Sequence, residues 1–221
     1  MACLPGTEKR MNRTTPTAAP VTPAKGASAW SLANILTYGR IAAVPAVAAC
    51  LFGIAVLDGG LWLRWVALAI YVVAAITDYL DGWVARAYGQ FSKLGRMLDP
   101  IADKLLVSSC LLMLAADGTI RGWALWAAII ILCREILVSG LREYLAALRV
   151  SVPVTKLAKW KTTVQLVAIG FLIAGEAGER IIPATTLIGI VLLWISAIVT
   201  IYTGWDYFRA GIHHLIEEDE G

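Results

Sequence analysis

The chain has 221 residues, of which 59% are hydrophobic and 16% charged, against roughly 45–50% and about 25% in soluble domains. That balance excludes an ordinary soluble domain and a disordered or fibrous chain, and a net charge of +3 scattered along the sequence is too small for a nucleic-acid-binding surface. Lipid is the implied solvent for most of the chain.

Residues 1–30 hold Glu8, Lys9, Arg10, Arg13 and Lys25 among Thr, Pro and Ala, with no apolar run of signal-peptide length. They read as a disordered, weakly basic tail. About twenty apolar residues cross a bilayer as a helix, and only helices or closed barrels satisfy every backbone group there. The apolar runs that follow are long and do not alternate, so they are expected to be helices. The first span is expected over 34–57 and the second over 61–88, with Asp58, Gly59 and Gly60 as the turn. The third covers 98–116 and stops at Asp117 and Gly118. The fourth covers 122–148, long enough for its charged end to project from the membrane. The fifth and sixth cover 157–175 and 182–208. Trp62, Trp65, Trp123 and Trp205 fall near span ends, where an interfacial belt accounts for them. His213, His214 and the closing acidic run from Glu217 to Glu220 read as a solvated end. Cys3, Cys50, Cys110 and Cys133 form no CxxC and carry no disulfide or zinc-site spacing.

Six spans put both termini on one side. The segments opposite hold only Arg64, Arg121 and Arg180, whereas the terminal side holds Lys9, Arg10, Arg13, Lys25, Arg86, Lys93, Arg96, Arg142, Arg149, Lys156, Lys159, Lys161 and Arg209. By the positive-inside rule that side is cytoplasmic. The expected fold is an all-α integral membrane protein of six transmembrane helices with both termini cytoplasmic. Its organisation is a tail over 1–30, a six-helix domain over 31–208 and an acidic tail over 209–221.

Residues 77–104, TDYLDGWVARAYGQFSKLGRMLDPIADK, place four aspartates at the ends of two otherwise apolar helices, which is costly unless they are used. Asp78, Asp81, Gly82 and Ala85 share one face of the second helix, and Asp99 and Asp103 share a face of the third. If the faces meet, four carboxylates in a low dielectric need cations, and all-oxygen ligands favour Mg²⁺ or Mn²⁺. Gly82 and Ala85 remove bulk beside the aspartates, so a nucleobase or phosphate can approach the backbone, and Arg86 adds a planar cation suited to phosphate. The combination reads as a diphosphate site, where two metals about 4 Å apart would stabilise attacking and leaving oxygens. Helix-end solvation, or pairing with Arg86, Arg96 and Lys104, is the plainer alternative.

The spacing Asp78-x2-Asp81-Gly82-x2-Ala85-Arg86-x8-Gly95-x3-Asp99-x3-Asp103 resembles the signature of the CDP-alcohol phosphotransferases, with every fixed position filled. The resemblance implies a six-helix membrane enzyme that transfers a substituted phosphate from a CDP-linked donor to an alcohol and releases CMP. It implies that Asp78, Asp81, Asp99 and Asp103 hold two metal ions and that Asp103 is the base for the acceptor hydroxyl. It further implies that Gly82, Ala85 and Arg86 line the cytidine diphosphate pocket, with Ser92 near the donor phosphates and Asn34 and Thr37 near the cytidine.

The segments SLANILTYGRIAAVP, Arg134-Glu135, Leu141-Arg142-Glu143 and LAKWKTTVQ resemble the bacterial phosphatidylglycerophosphate synthases within that family. The implied reaction joins CDP-diacylglycerol and sn-glycerol 3-phosphate, in the bacterial cytoplasmic membrane, with a homodimer implied as well. An acceptor phosphate needs a cationic pocket, for which Arg134, Arg142, Lys156, Lys159 and Lys161 are candidates. Arg134 and Arg142 are about 80° apart around a helix and can face one cavity, and Lys161, Thr162 and Gln165 make a polar stripe on the fifth helix. For the lysines and Arg142, topology and headgroup contact are the plainer alternative; for Arg134, it is local pairing with Glu135. Inositol phosphate, serine and phosphatidylglycerol remain alternative acceptors. A cation-coupled transporter is the reading from another class, but the aspartates sit at helix ends and no broken helix pair is visible.

Overall fold

The computed structural model describes the backbone of residues 32–57, 60–88, 93–147 and 156–219, and side chains over 35–57, 60–78, 97–145 and 160–205 together with Leu80. These residues form six α-helices: α1 Leu32–Leu57, α2 Trp62–Tyr88, α3 Lys93–Ala116, α4 Ala124–Ala147, α5 Lys156–Glu179 and α6 Thr185–Asp219. The stretches Ile35–Leu57, Ala124–Leu145 and Thr185–Trp205, in α1, α4 and α6, have mean hydropathies of 2.2, 2.0 and 2.2 and are long and apolar enough to cross a membrane. The other three helices are of similar length, with 27, 24 and 24 residues. They carry Asp78, Asp81, Asp99, Asp103 and Lys161.

Helix α1 packs against α2 and α3, α4 and α5 both pack against α6, and α2 meets α5 to join the two halves. Small residues make part of the contacts, as expected where lipid offers no hydrophobic drive and close backbone approach supplies the attraction. Ala67, Ala74, Ala127, Ala128, Ala168 and Ala197 are buried alongside Leu51, Leu106, Leu114, Ile131, Leu172 and Leu193. At Gly189 the approach of α6 to α5 is so close that a Cβ would lie 2.8 Å from Leu172 Cγ. Other large apolar side chains point outward: Val73, Leu112, Ile136, Ile198 and Tyr202 are exposed, as are Trp62, Trp65, Trp123 and Trp205 near helix ends. An apolar exterior around an interior in which alanine mixes with leucine and isoleucine is the pattern a lipid solvent selects.

Three helix bounds lie four or more residues from the hydropathy reading, and the rest lie within three. Helix α3 begins at Lys93, five residues before the expected apolar start, because Lys93 and Arg96 end a hydrophobic run without ending a helix. Gly175, the expected end of α5, does leave helical geometry at φ 42° and ψ −128°, but the chain resumes for another turn to Glu179. Helix α6 continues past Phe208 to Asp219, through the segment expected to be a tail.

Candidate active site

Thr37 and Arg40 lie one turn apart on α1, each 1% exposed. Thr37 Oγ1 donates a hydrogen bond of 2.6 Å to Asp99 Oδ1, and Arg40 Nη1 stands 2.7 Å from Asp78 Oδ1. One face of α1 thus fixes one aspartate from α2 and one from α3. The Asp78 side chain remains 41% exposed, so its carboxylate is tied on one side and open on the other. Asp103 follows Asp99 by one turn, with Ala102 fully buried between them. Asp78 feels the charge of Asp99, and Asp103 feels that of Asp78. The three described aspartates of the motif therefore share one end of the bundle.

Asp81, Gly82, Ala85 and Arg86 lie on the last two turns of α2, which runs unbroken to Tyr88, so Asp81 is one turn beyond Asp78. Their side chains fall outside the described residues, as do Ser92 and the Asn34 side chain. Among the described side chains no three Asp, Glu, His or Cys residues form a ready metal cluster. The donors present are nonetheless carboxylates close enough to repel one another, an oxygen-only set that fits a hard divalent cation.

A second polar group occupies the space bounded by α4, α5 and α6. Lys161, 4% exposed, is bound to Glu135, whose Oε1 also accepts from Arg134 Nη1 at 3.3 Å. Arg134 Nη2 donates to Thr203 Oγ1 on α6 at 3.1 Å. Gly204 leaves room for that reach, since a Cβ there would sit 3.3 Å from Arg134 Cγ. One turn deeper on α5, Gln165 lies 3.5 Å from Ser196 Oγ, and Thr200 Oγ1 is buried with no hydrogen-bond partner among the described residues. Asp103 feels the charge of Glu135, and Lys161 feels that of Asp103, so this group borders the aspartates. Arg142, two turns beyond Arg134, is exposed, in contrast to the half-buried Arg134. Lys156 opens α5, but its side chain and that of Lys159 fall outside the described residues.

Between α1 and α2 runs a cavity of about 660 Å³ lined by Ile35, Leu36, Gly39, Ala42, Ala43, Ala46, Ala69, Ile70, Val73, Ala74 and Thr77. Thr77 precedes Asp78, so this alanine-walled slot ends beside the aspartates.

Arg40 and Glu135 were not singled out as site residues from sequence. For Arg40 a signal was available: an arginine within an apolar span, three residues after Thr37, needs a buried partner. Glu135 was legible only as a neighbour of Arg134, because Lys161 comes 26 residues later on another helix.

Residues 30–202 match the family model described as CDP-alcohol phosphatidyltransferase. The chain is 38% identical over 222 aligned positions to a CDP-diacylglycerol–glycerol-3-phosphate 3-phosphatidyltransferase of Cereibacter sphaeroides, covering 86% of this chain and 99% of that one. It is 43% identical over 180 positions to the enzyme of the same name from Rickettsia bellii, covering 81% and 94%. A cardiolipin synthase (CMP-forming) of rice is 35% identical over 196 positions, covering 81% of this chain and 56% of that protein. The family match spans α1 to the middle of α6 and includes every aspartate of the motif, and the chain belongs to the CDP-alcohol phosphatidyltransferase family.

Proposed function

We propose that the protein transfers a phosphatidyl group from CDP-diacylglycerol to sn-glycerol 3-phosphate, giving phosphatidylglycerophosphate and CMP. The observation that carries this reading is the cationic pair Arg134 and Lys161 bordering Asp103 in the buried interior. An acceptor that bears a phosphate needs cations near the reacting hydroxyl, whereas serine does not. The names of the bacterial relatives point the same way, and the slot between α1 and α2 offers apolar surface for an acyl chain of a lipid donor.

Asp103 takes the proton from the acceptor's 1-hydroxyl, whose oxygen attacks the β-phosphorus of the donor. The bond from that phosphorus to the bridging oxygen breaks, and CMP leaves with the electron pair. Asp78, Asp81, Asp99 and Asp103 would hold two Mg²⁺ or Mn²⁺ ions, which supply charge stabilisation at the phosphate oxygens when bound. Thr37 and Arg40 keep Asp99 and Asp78 in place, Gly82, Ala85, Arg86, Ser92 and Asn34 contribute to the donor's nucleotide pocket, and Arg142, Lys156 and Lys161 join Arg134 in attracting the acceptor phosphate. In this reading all six helices cross a bacterial cytoplasmic membrane, both termini and the aspartates lie at the cytoplasmic face, and the working form is a homodimer.

The test is CMP release from CDP-diacylglycerol and Mg²⁺ by purified protein in detergent, with glycerol 3-phosphate, inositol phosphate, serine, phosphatidylglycerol or no acceptor. Release that depends on glycerol 3-phosphate is expected. The rice relative's name supports phosphatidylglycerol as the second reading; release driven by that lipid would replace the acceptor and keep the aspartate site.

A further inference from the structure

We propose that Glu135 is a positioning residue for the acceptor: its carboxylate fixes the Lys161 ammonium and the Arg134 guanidinium across the space between α4 and α5. The inference rests on the acceptor reading given above. Glu135 and Arg134 are consecutive on α4, about 100° apart around the helix, so they serve different neighbours. Arg134 reaches α6 at Thr203 while also meeting Glu135, and Glu135 turns to Lys161 on α5. The three side chains thereby tie three helices together at the level of Asp103.

The shared carboxylate gives this group its direction. Glu135 pairs with both cations. A phosphate entering beside them can meet Lys161 and Arg134 without stripping either of that partner. Lysine carries its charge on a flexible four-carbon stem and binds phosphate as a point charge, so its value in a site depends on where the stem is held. Lys161 is only 4% exposed, and water cannot stand in for the partner that holds it.

Positioning and simple electrostatics predict opposite signs for the same change. If Glu135 merely repels the incoming phosphate, Glu135→Gln lowers the KM for glycerol 3-phosphate. If it positions Lys161, the same substitution raises that KM, by about tenfold, because one partner of a buried ion pair is lost. The KM for CDP-diacylglycerol stays within about twofold, since the donor's phosphates lie on the aspartate side. Glu135→Asp retains the charge on a shorter arm and is expected to raise the acceptor KM by only about threefold; it also serves as the sole readout if the Gln variant fails to insert. Lys161→Met is measured alongside. An acceptor KM unchanged in Lys161→Met would overturn the acceptor reading itself. A raised KM in Lys161→Met, with an unchanged or lowered KM in the Glu135 variants, would overturn the positioning role and leave the pocket intact. An equal rise in both substrates' KM values on Glu135 substitution would also overturn it, as the mark of general loosening.

Discussion

Arg64 and Lys161 are both buried cations, each 4% exposed, and they are held in contrasting ways. Arg64 starts near the beginning of α2, fourteen residues before Asp78 and so about 21 Å from it along the helix axis. Its terminal nitrogens donate to Asp117 Oδ2 at 2.8 Å, Thr119 Oγ1 at 3.1 Å and the carbonyls of Leu172 and Ile173 at 3.4 and 3.2 Å. Those carbonyls precede the break at Gly175, where a Cβ would stand 2.5 Å from Arg64 Nη1. One carboxylate pairs with this cation, and neutral oxygens accept from its two terminal nitrogens. Lys161 instead shares the carboxylate of Glu135 with Arg134, beside Asp103. The first cation is enclosed by acceptors of the fold; the second stands next to the proposed reacting groups.

The sharpest way to break this contrast is at the aspartates. Asp99→Asn removes one charged oxygen donor from the proposed metal set while keeping an acceptor for the Thr37 hydroxyl. Because metal-assisted charge stabilisation is worth several kcal/mol, turnover should fall by about 10³-fold or more, with little change in thermal melting. CMP release and a detergent melting curve read the two effects separately. Near-normal turnover in Asp99→Asn would remove the metal assignment.

At the opposite end the expected effect reverses. Arg64→Met strands the Asp117 carboxylate, which is 1% exposed, and breaking one side of a buried pair costs roughly 3–5 kcal/mol. The melting temperature should drop, whereas kcat/KM per folded molecule should hold. Adding Asp117→Asn should recover part of the loss, because the stranded charge is gone. A loss of kcat/KM at unchanged melting temperature would show that the distal cluster acts on chemistry and would erase the distinction between the two cations.

The difference between the ends was only half visible in sequence. Helices were legible because apolar runs of this length have one solution in lipid, and the aspartates were legible because their spacing repeats a helical face. Partners from distant segments were not: Arg64 was counted as a topology residue, yet its neighbours Asp117, Thr119, Leu172 and Ile173 come from the turn after α3 and from α5. The same holds for Arg40 with Asp78 and for Lys161 with Glu135, each pair joining two helices. Helix ends were misplaced where polarity and helicity part company, at Lys93 and beyond Phe208. Periodicity reports what faces lipid; it does not report which charged residue meets which.

Thr37 gives the smallest and most discriminating test, since it is as buried as a structural residue but touches the site. By resemblance to the family it was expected near the cytidine; its hydroxyl is donated to Asp99 at 2.6 Å. Thr37→Val keeps the branched shape in a place that is 1% exposed, so packing and melting should barely change. The lost hydrogen bond frees the Asp99 carboxylate to rotate, and outer-shell partners of metal ligands typically matter by 10–100-fold. A fall in turnover of about tenfold is expected, at the low end because one neutral donor is removed. The Mg²⁺ concentration for half-maximal rate should rise with it, while the KM for CDP-diacylglycerol should not. If that KM rises and the Mg²⁺ dependence stays fixed, Thr37 serves the nucleotide rather than the carboxylate. Its hydrogen bond to Asp99 would then be a contact that the bound donor replaces.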